Sequence, residues 1–332
     1  MKDLLQKGVL KTAKLPADQE MSGSQAIFLI DHDYPARTPA LWNHVYRSIG
    51  WQKRAIMMVA DPEKTVGILE VFAKDPDYIG GGLGVGFKDE AVKQKALDDL
   101  DPLAQIAGAA NVIAKENGRL IGHNTDGIGY WRGLREKLEE LGKNPSDCKI
   151  LLLGAGGTAN AIAAALINSV ARLVILNRTP EKAAVLAKRL DDHARKSGES
   201  RTVIIAGGES EISEYAVDSD IIINTSVKGA TGRWEKFAAL AGTSSLEENL
   251  SQSEEILFSL KSDALISDVN LTQGDPTTIA LAKRLGLPTQ DGRPMVLYQG
   301  VEAFWIVNRE KLAAQNIAKS RIASLMREVI SF

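Results

Sequence analysis

Six consecutive residues, Gly154-Ala155-Gly156-Gly157-Thr158-Ala159, have the types and spacing for phosphate chemistry; they follow the apolar run ILLL and precede the alanine-rich AIAAALINS. Glycines there permit a tight turn and close approach of backbone to a pyrophosphate, while a free helix N-terminus turns its N–H groups toward the phosphates. The next apolar run, ARLVILN, ends in Asn177-Arg178-Thr179-Pro180-Glu181-Lys182. An NAD site would offer the ribose 2′-hydroxyl a carboxylate at this point, and the chain offers cations instead. Arg178 can stack on adenine and pair with a 2′-phosphate, and Lys182, one helical turn on, adds a second charge. The pattern favours NADP over NAD.

The elements that must hold this turn form a βαβ unit from Lys149 to Asn177. It continues through a helix (TPEKAAVLAKRLDDHARKSG), strands TVIIA, DIIINTS and ALISDVN, and a helix TTIALAKRLG, which predicts a parallel, doubly wound sheet. Between Val227 and Ala264 a Ser- and Glu-rich excursion reads as one or two irregular helices. Upstream, AIFLID, the turn-like HDYPARTP, ALWNHVYRSIGW and RAIMMVA repeat the βαβ rhythm, so the N-terminal part is α/β as well. A cluster of Gly80, Gly81, Gly82, Gly84 and Gly86 lets backbone approach something closely and ends at Lys88, where DEAVKQKALDDL begins a polar helix. ANVIAKENGRL predicts two short strands around an Asn117-Gly118 turn, followed by IGHNTDGIG and a helix from Tyr130 to Leu141. From Tyr298 onward the spacing predicts a long amphipathic helix or a pair, with Ala303, Phe304, Ile306 and Val307 on the apolar side.

The totals exclude other classes. A length of 332 residues suggests two domains. Lys plus Arg number 40 against 42 Asp plus Glu, so no basic excess supports nucleic-acid binding. The single cysteine, Cys148, permits no internal disulfide and reads as buried filler. His32, His44, His123 and His193 lack metal-ligand spacing. No apolar run is long enough for a membrane span, and the first 25 residues fit neither a secretory signal nor a transit peptide. A cytoplasmic, metal-free protein is expected, a monomer or homodimer.

Taken in order, the motifs resemble those of the shikimate dehydrogenase family, from about Ile27 to Val307. AGAANVI and IGHNTDGIG resemble the family's AGAVNT and NTDG segments, GAGGTANAI its nucleotide loop and NRTPEKA its NADP clamp. DIIINTS, ending in Thr225 and Ser226, resembles its cofactor-side strand, and DGRPMVLYQGVEAFWIV its C-terminal segment. The resemblance implies an α/β protein of two domains with the active site in the cleft. The N-terminal substrate domain (1–127) would be completed by C-terminal helices (298–332), and a Rossmann-like NADP-binding domain would span 128–297. It implies reversible hydride transfer between NADPH and a ring ketone, 3-dehydroshikimate giving shikimate, in aromatic amino acid biosynthesis. Lys88 and Asp126 would handle the proton. A free lysine holds its proton too tightly to act as a base at neutral pH, so the two would titrate jointly. Asn111 and Gln299 would bind the cyclic hydroxy acid, and the nucleotide would be held by Gly154, Ala155, Gly156, Gly157, Thr158, Asn177, Arg178, Thr179, Lys182, Thr225 and Ser226.

The substrate side departs from the family pattern. Where the family has SxSP the chain has Ala36-Arg37-Thr38-Pro39, losing one hydroxyl, and where it has GxNVTxPxK the chain has the shorter Gly82-Leu83-Gly84-Val85-Gly86-Phe87-Lys88. Val112 replaces a threonine and Leu271 a pocket tyrosine. Each lost hydroxyl removes a partner for a buried substrate group, whereas Arg37 can grip a carboxylate bidentately beside Thr38. Three readings stay open: a dehydrogenase of shikimate, quinate or an amino analogue; a dehydrogenase for a less polar ring; and a non-catalytic NADP(H)-binding regulator.

Overall fold

The computed structural model describes residues 10–12, 24–32, 37–197 and 202–330. They fall into two compact units, one running to Gly129 and resuming at Val296, the other Tyr130–Met295. Ala36 lies outside the described residues.

The first unit is built on a seven-stranded mixed sheet. Its elements are β1 (Leu10–Thr12), β2 (Gln25–Ile30), α1 (Thr38–Ser48), β3 (Arg54–Ala60), α2 (Thr65–Lys74), β4 (Tyr78–Leu83) and α3 (Glu90–Lys93). After these come β5 (Asp99–Leu100), α4 (Pro102–Ala107), β6 (Val112–Glu116) and β7 (Arg119–His123), then α5 (Asp126–Glu140), which runs on into the second unit. The sheet order is β1-β3-β2-β4-β6-β7-β5, with β2 parallel to β3 and β4, and β6 antiparallel to β4 and β7. α1 begins with Pro39 in its first turn, where a missing N–H costs nothing, and buries Leu41, Trp42, Val45 and Tyr46. Trp42 meets Phe28 and Phe304 edge-on, at 5.0 and 5.2 Å between ring centres. The β6–β7 hairpin turns on Asn117 and Gly118, both at positive φ, as the Asn-Gly pair predicts.

Two expectations change here. The close approach permitted by the glycine cluster is made largely to protein: a Cβ on Gly81 would run into the Ile27 carbonyl of β2, and one on Gly82 into the Phe28 ring. The polar helix after Lys88 shrinks to the four residues of α3, because the chain turns at Lys95 (φ 53°) and Asp99–Leu100 joins β7 as a strand.

The second unit has β8 (Lys149–Leu153), α6 (Gly157–Leu166), β9 (Arg172–Asn177), α7 (Pro180–Ser197), β10 (Val203–Gly208), α8 (Ile212–Val217) and β11 (Ile221–Asn224). These are followed by α9 (Leu246–Phe258), β12 (Leu265–Asp268), α10 (Thr277–Arg284) and β13 (Thr289–Gln290). Its six strands are all parallel, in the order β10-β9-β8-β11-β12-β13, which is a Rossmann-like, doubly wound sheet. The short crossover helix α8 was not expected. The Ser/Glu-rich excursion contains α9, a regular 13-residue helix whose N-terminus is capped by the Ser245 hydroxyl accepting from Glu248 N. The chain then forms α11 (Arg293–Ala314), which continues into the first unit, and α12 (Lys319–Arg327). Thus the C-terminal helix pair exists, but its first member starts five residues before Tyr298.

Candidate active site

In the first unit, three of the expected residues come together. Lys88 Nζ donates to Asp126 Oδ2 at 2.6 Å, and Asn111 Nδ2 donates to Asp126 Oδ1 at 2.7 Å. Each carboxylate oxygen therefore has its own donor, as a buried anion requires. Asp126 and Asn111 are buried, whereas the Lys88 side chain is 37% exposed.

The backbone accounts for this placement. Leu83 N donates to Asn111 O, Asn111 N to His123 O and Ala110 N to Lys88 O, tying the segments around the three side chains into one ladder. Asp126 opens α5 instead of preceding a helix at Tyr130. The helix starts early because Asn124 Oδ1 accepts from Asp126 N (3.1 Å) and Thr125 O from Gly129 N (2.9 Å). Asn124 and Thr125, both buried, are the residues missed in assigning site roles: Thr125 N donates to Asn111 Oδ1 at 2.8 Å and fixes that amide's orientation. The signal was present in the polar trio Asn124-Thr125-Asp126 between strand and helix.

One turn beyond Asp126, Gly129 leaves room for the backbone of Gln299 on α11. Gln299 Nε2 is 3.5 Å from Thr38 Oγ1 and donates to Val296 O at 3.1 Å. Arg37 stands exposed at the start of α1, next to Thr38.

In the second unit the glycine turn sits at the carboxyl end of the sheet, at the point where strand order reverses between β8 and β11. Gly154 adopts φ +120° and donates to Leu176 O at 2.8 Å. Gly156 is extended and, among the described residues, no side chain caps α6. Cβ atoms added to Gly156 or Gly157 would meet nothing within 4 Å, which leaves open space over the helix N-terminus. Thr225 N and Oγ1 both donate to Leu153 O, at 2.9 and 2.8 Å, and hold the Thr225–Ser226 loop against the turn. Ala155 and Thr158 are half-buried in the turn. At the end of β9, Asn177 Nδ2 donates to Thr179 O at 2.9 Å, and Arg178, Thr179 and Lys182 are exposed. Among the described residues no carboxylate pairs with Arg178 or Lys182. An open helix N-terminus flanked by two uncompensated cations fits a dinucleotide bearing an extra phosphate.

A Cβ on Gly154 would lie 2.5 Å from Thr225 Oγ1 in a backbone region that disfavours side chains. We expect Gly154→Ala to destabilise the protein by about 2 kcal/mol, measured by urea unfolding; an unchanged midpoint would mean that the turn relaxes freely.

The Thr225–Ser226 loop has a support that sequence reasoning missed. Asp268, fully buried at the end of β12, accepts from Asn224 Nδ2 (2.8 Å) and Asn270 N (2.9 Å). Asn224 Oδ1 in turn accepts from Ser226 N and Oγ, and Asn270 Nδ2 donates to Ser226 O and Lys228 O. Burial pushes the Asp268 carboxyl up to about 7, against the smaller downward pull of the asparagine donors. The native state thus holds this proton more tightly than the unfolded chain. The associated stability is complete below the ordinary carboxylate value and is lost as pH rises through about 7, roughly 4 kcal/mol in all. Melting curves between pH 5 and 8 should show wild-type Tm falling relative to Asp268→Asn; a pH-independent gap would refute the raised value.

Among the described residues, no group of three or more His, Cys, Asp and Glu could hold a metal ion, and no helix is long and apolar enough to cross a membrane.

The family profile described as shikimate/quinate 5-dehydrogenase matches residues 136–231. The shikimate dehydrogenase (NADP(+)) of Desulfitobacterium hafniense (strain Y51) is 33% identical over 232 residues, covering 69% of this chain and 73% of the relative. A crystal structure of shikimate dehydrogenase in complex with NADP+ superposes with a TM-score of 0.72 at 25% identity, covering 93% of this chain and 96% of the other. The ligand-free 5-ketofructose reductase of Gluconobacter sp. strain CHM43 shares the fold at 22% identity, with a TM-score of 0.70 and coverage of 93% and 100%. At the identity and coverage of the Desulfitobacterium relative, on a fold common to both solved structures, the chain belongs to the shikimate dehydrogenase family of oxidoreductases.

Proposed function

We propose that the chain is an NADP-dependent dehydrogenase interconverting 3-dehydroshikimate and shikimate, or a related cyclic hydroxy acid, in the cytoplasm as part of aromatic amino acid biosynthesis. The observation that carries this reading is the Lys88–Asp126–Asn111 cluster, with Lys88 Nζ 2.6 Å from a buried carboxylate on a partly exposed side chain. The unit containing Lys88 is the substrate domain, and the Tyr130–Met295 unit is the cofactor domain.

NADPH, when bound, supplies the hydride to the ring carbonyl carbon. Gly154, Ala155, Gly156, Gly157 and Thr158 would cradle its pyrophosphate. Asn177, Arg178, Thr179 and Lys182 would hold the adenosine end, and Thr225 with Ser226 would complete the cradle from β11. In reduction, the Lys88 ammonium donates its proton to the oxygen that gains charge. A proton from water then restores the ammonium, which the Asp126 carboxylate 2.6 Å away favours. In oxidation the lysine takes the hydroxyl proton and the sequence reverses. Asn111 Oδ1 accepts from Thr125 N, and its two N–H groups go to Asp126 Oδ1 at 2.7 Å and Thr125 Oγ1 at 3.0 Å; it therefore holds Asp126 in register, and it binds a ring hydroxyl by exchanging the longer bond to Thr125 Oγ1. Gln299 and Thr38 supply further polar contacts, and Arg37 takes the substrate carboxylate in place of the missing hydroxyl.

Initial-rate reduction of NADP by the purified chain, with shikimate, then quinate, and with NAD as control, tests the reading. NADP-linked shikimate oxidation is expected. Silence with both acids alongside tight NADPH binding would replace it with a different ring substrate or a regulator. If Arg37 binds the carboxylate, Arg37→Ala should raise KM by roughly 10- to 100-fold with kcat kept; an unchanged KM would remove Arg37 from the site.

A further inference from the structure

On the first unit, a cavity of about 360 Å³ opens between the end of α11, the β6–β7 hairpin and the start of β3 and β4. It shares no residue with the Lys88–Asp126–Asn111 cluster. Two of its lysines crowd one indole: Lys53 Nζ lies 5.1 Å and Lys311 Nζ 4.5 Å from the Trp51 ring centre. The ring is held by stacking on Tyr46 and by Trp51 Nε1 donating to Gln315 Oε1 at 2.8 Å. Lys53 donates to Asn308 Oδ1 at 3.0 Å, a neutral acceptor, and among the described residues neither lysine has a carboxylate partner.

The carboxylates of the wall do not relieve this. Glu116 is engaged by Arg309 at 2.8 Å, and Glu310 is exposed and within ion-pair reach of neither lysine. Lys115 is committed to backbone, donating to Asp75 O at 2.6 Å. Burial, followed by repulsion from Lys311, lowers the Lys53 ammonium to about 8. A half-buried cation repelled by a second one beside the same ring is costly unless an anion joins them. An aromatic face binds one ammonium weakly and cannot neutralise two.

We propose that this cavity binds a small phosphate-bearing dianion, bridged between the ammonium groups of Lys53 and Lys311. A doubly charged tetrahedral group offers separate oxygens to two ammonium groups, and charge-assisted bonds of this kind are the strongest available at a water-facing site. The volume leaves room beside a phosphate for a few carbons, which would lie along the half-buried Ile79 and Val307.

The test is calorimetric titration of the full chain, in phosphate-free buffer at pH 8, with inorganic phosphate and with a small phosphate monoester, glycerol 3-phosphate. Saturable binding of one equivalent is expected, weakened at least tenfold by Lys53→Met and by Lys311→Met, and kept by Arg178→Ala. Tighter binding of the monoester would assign the spare volume to an organic group, and equal binding would assign the site to free phosphate. Either result supports the proposal. Binding should also draw a proton from the buffer onto Lys53, seen as a heat that varies with buffer ionisation enthalpy and disappears in Lys53→Met. Lys311 is exposed, so its variant tests the site without threatening the fold. No saturable heat, binding that survives Lys311→Met, or binding lost in Arg178→Ala, which would place the phosphate at the nucleotide clamp, would overturn the proposal.

Discussion

Lys88→Ala should lower kcat by on the order of 1,000-fold, the usual weight of a positioned acid–base group, while nucleotide affinity stays as in the wild type. The substitution removes the proposed proton donor and, among the described residues, the cation bonded to Asp126, leaving that buried carboxylate with Asn111. Asp126→Asn removes the other half of the pair and should slow turnover as well. On the proposal that the two residues act as one unit, the double variant should be little worse than Lys88→Ala. Steady-state rates with fluorescence titration of NADPH separate the two effects. Full turnover in Lys88→Ala would end the assignment, and a parallel loss of nucleotide binding would mean that the substitution had damaged the fold.

The second large effect is expected at Arg178. Arg178→Ala should raise KM for NADP roughly 10- to 100-fold, the cost of removing charge-assisted bonds to a phosphate, and leave KM for NAD unchanged. Its side chain is exposed, and no carboxylate pairs with it among the described residues, so the substitution removes no internal support. Lys182→Ala should act in the same direction with smaller size, since an ammonium is a point charge without the planar fork of a guanidinium. Measurement of both cofactors with one substrate decides the matter: equal losses for NADP and NAD would show that the arginine stacks on adenine without reading the 2′-phosphate.

The second unit was the more legible part of the chain, because its strands are short, apolar and closed by turn residues, and a glycine turn between strand and helix has few other uses. Its omissions have physical reasons. α8 is too short to show a helical period, and α9 was obscured by its Ser- and Glu-rich composition, although Ser245 followed by Glu248 is a capping pattern that could have marked its start. In the first unit, the early start of α5 was hidden by Gly127 and Gly129, which lower helix propensity. One of them is present because α11 passes at the backbone of Gln299. That is a tertiary cause with no local signature. The Asp268–Asn224–Asn270 support was invisible for the same reason: its members are 46 positions apart at most and meet only because β11 and β12 are parallel neighbours in register.

The aromatic core around Trp42 is assembled from two distant pieces of chain, since Phe28, Trp42 and Tyr46 pack with Val301, Phe304 and Met326. During synthesis the early piece leaves the ribosome long before the later one, and the intervening Tyr130–Met295 segment contains all the strands of its own sheet by the time α11 appears. Order of emergence and order of completion are thus reversed for this chain. The N-terminal sheet must wait with Trp42 uncovered while the later-made unit closes, which makes the nascent N-terminal half the stage at which aggregation or chaperone capture is most expected.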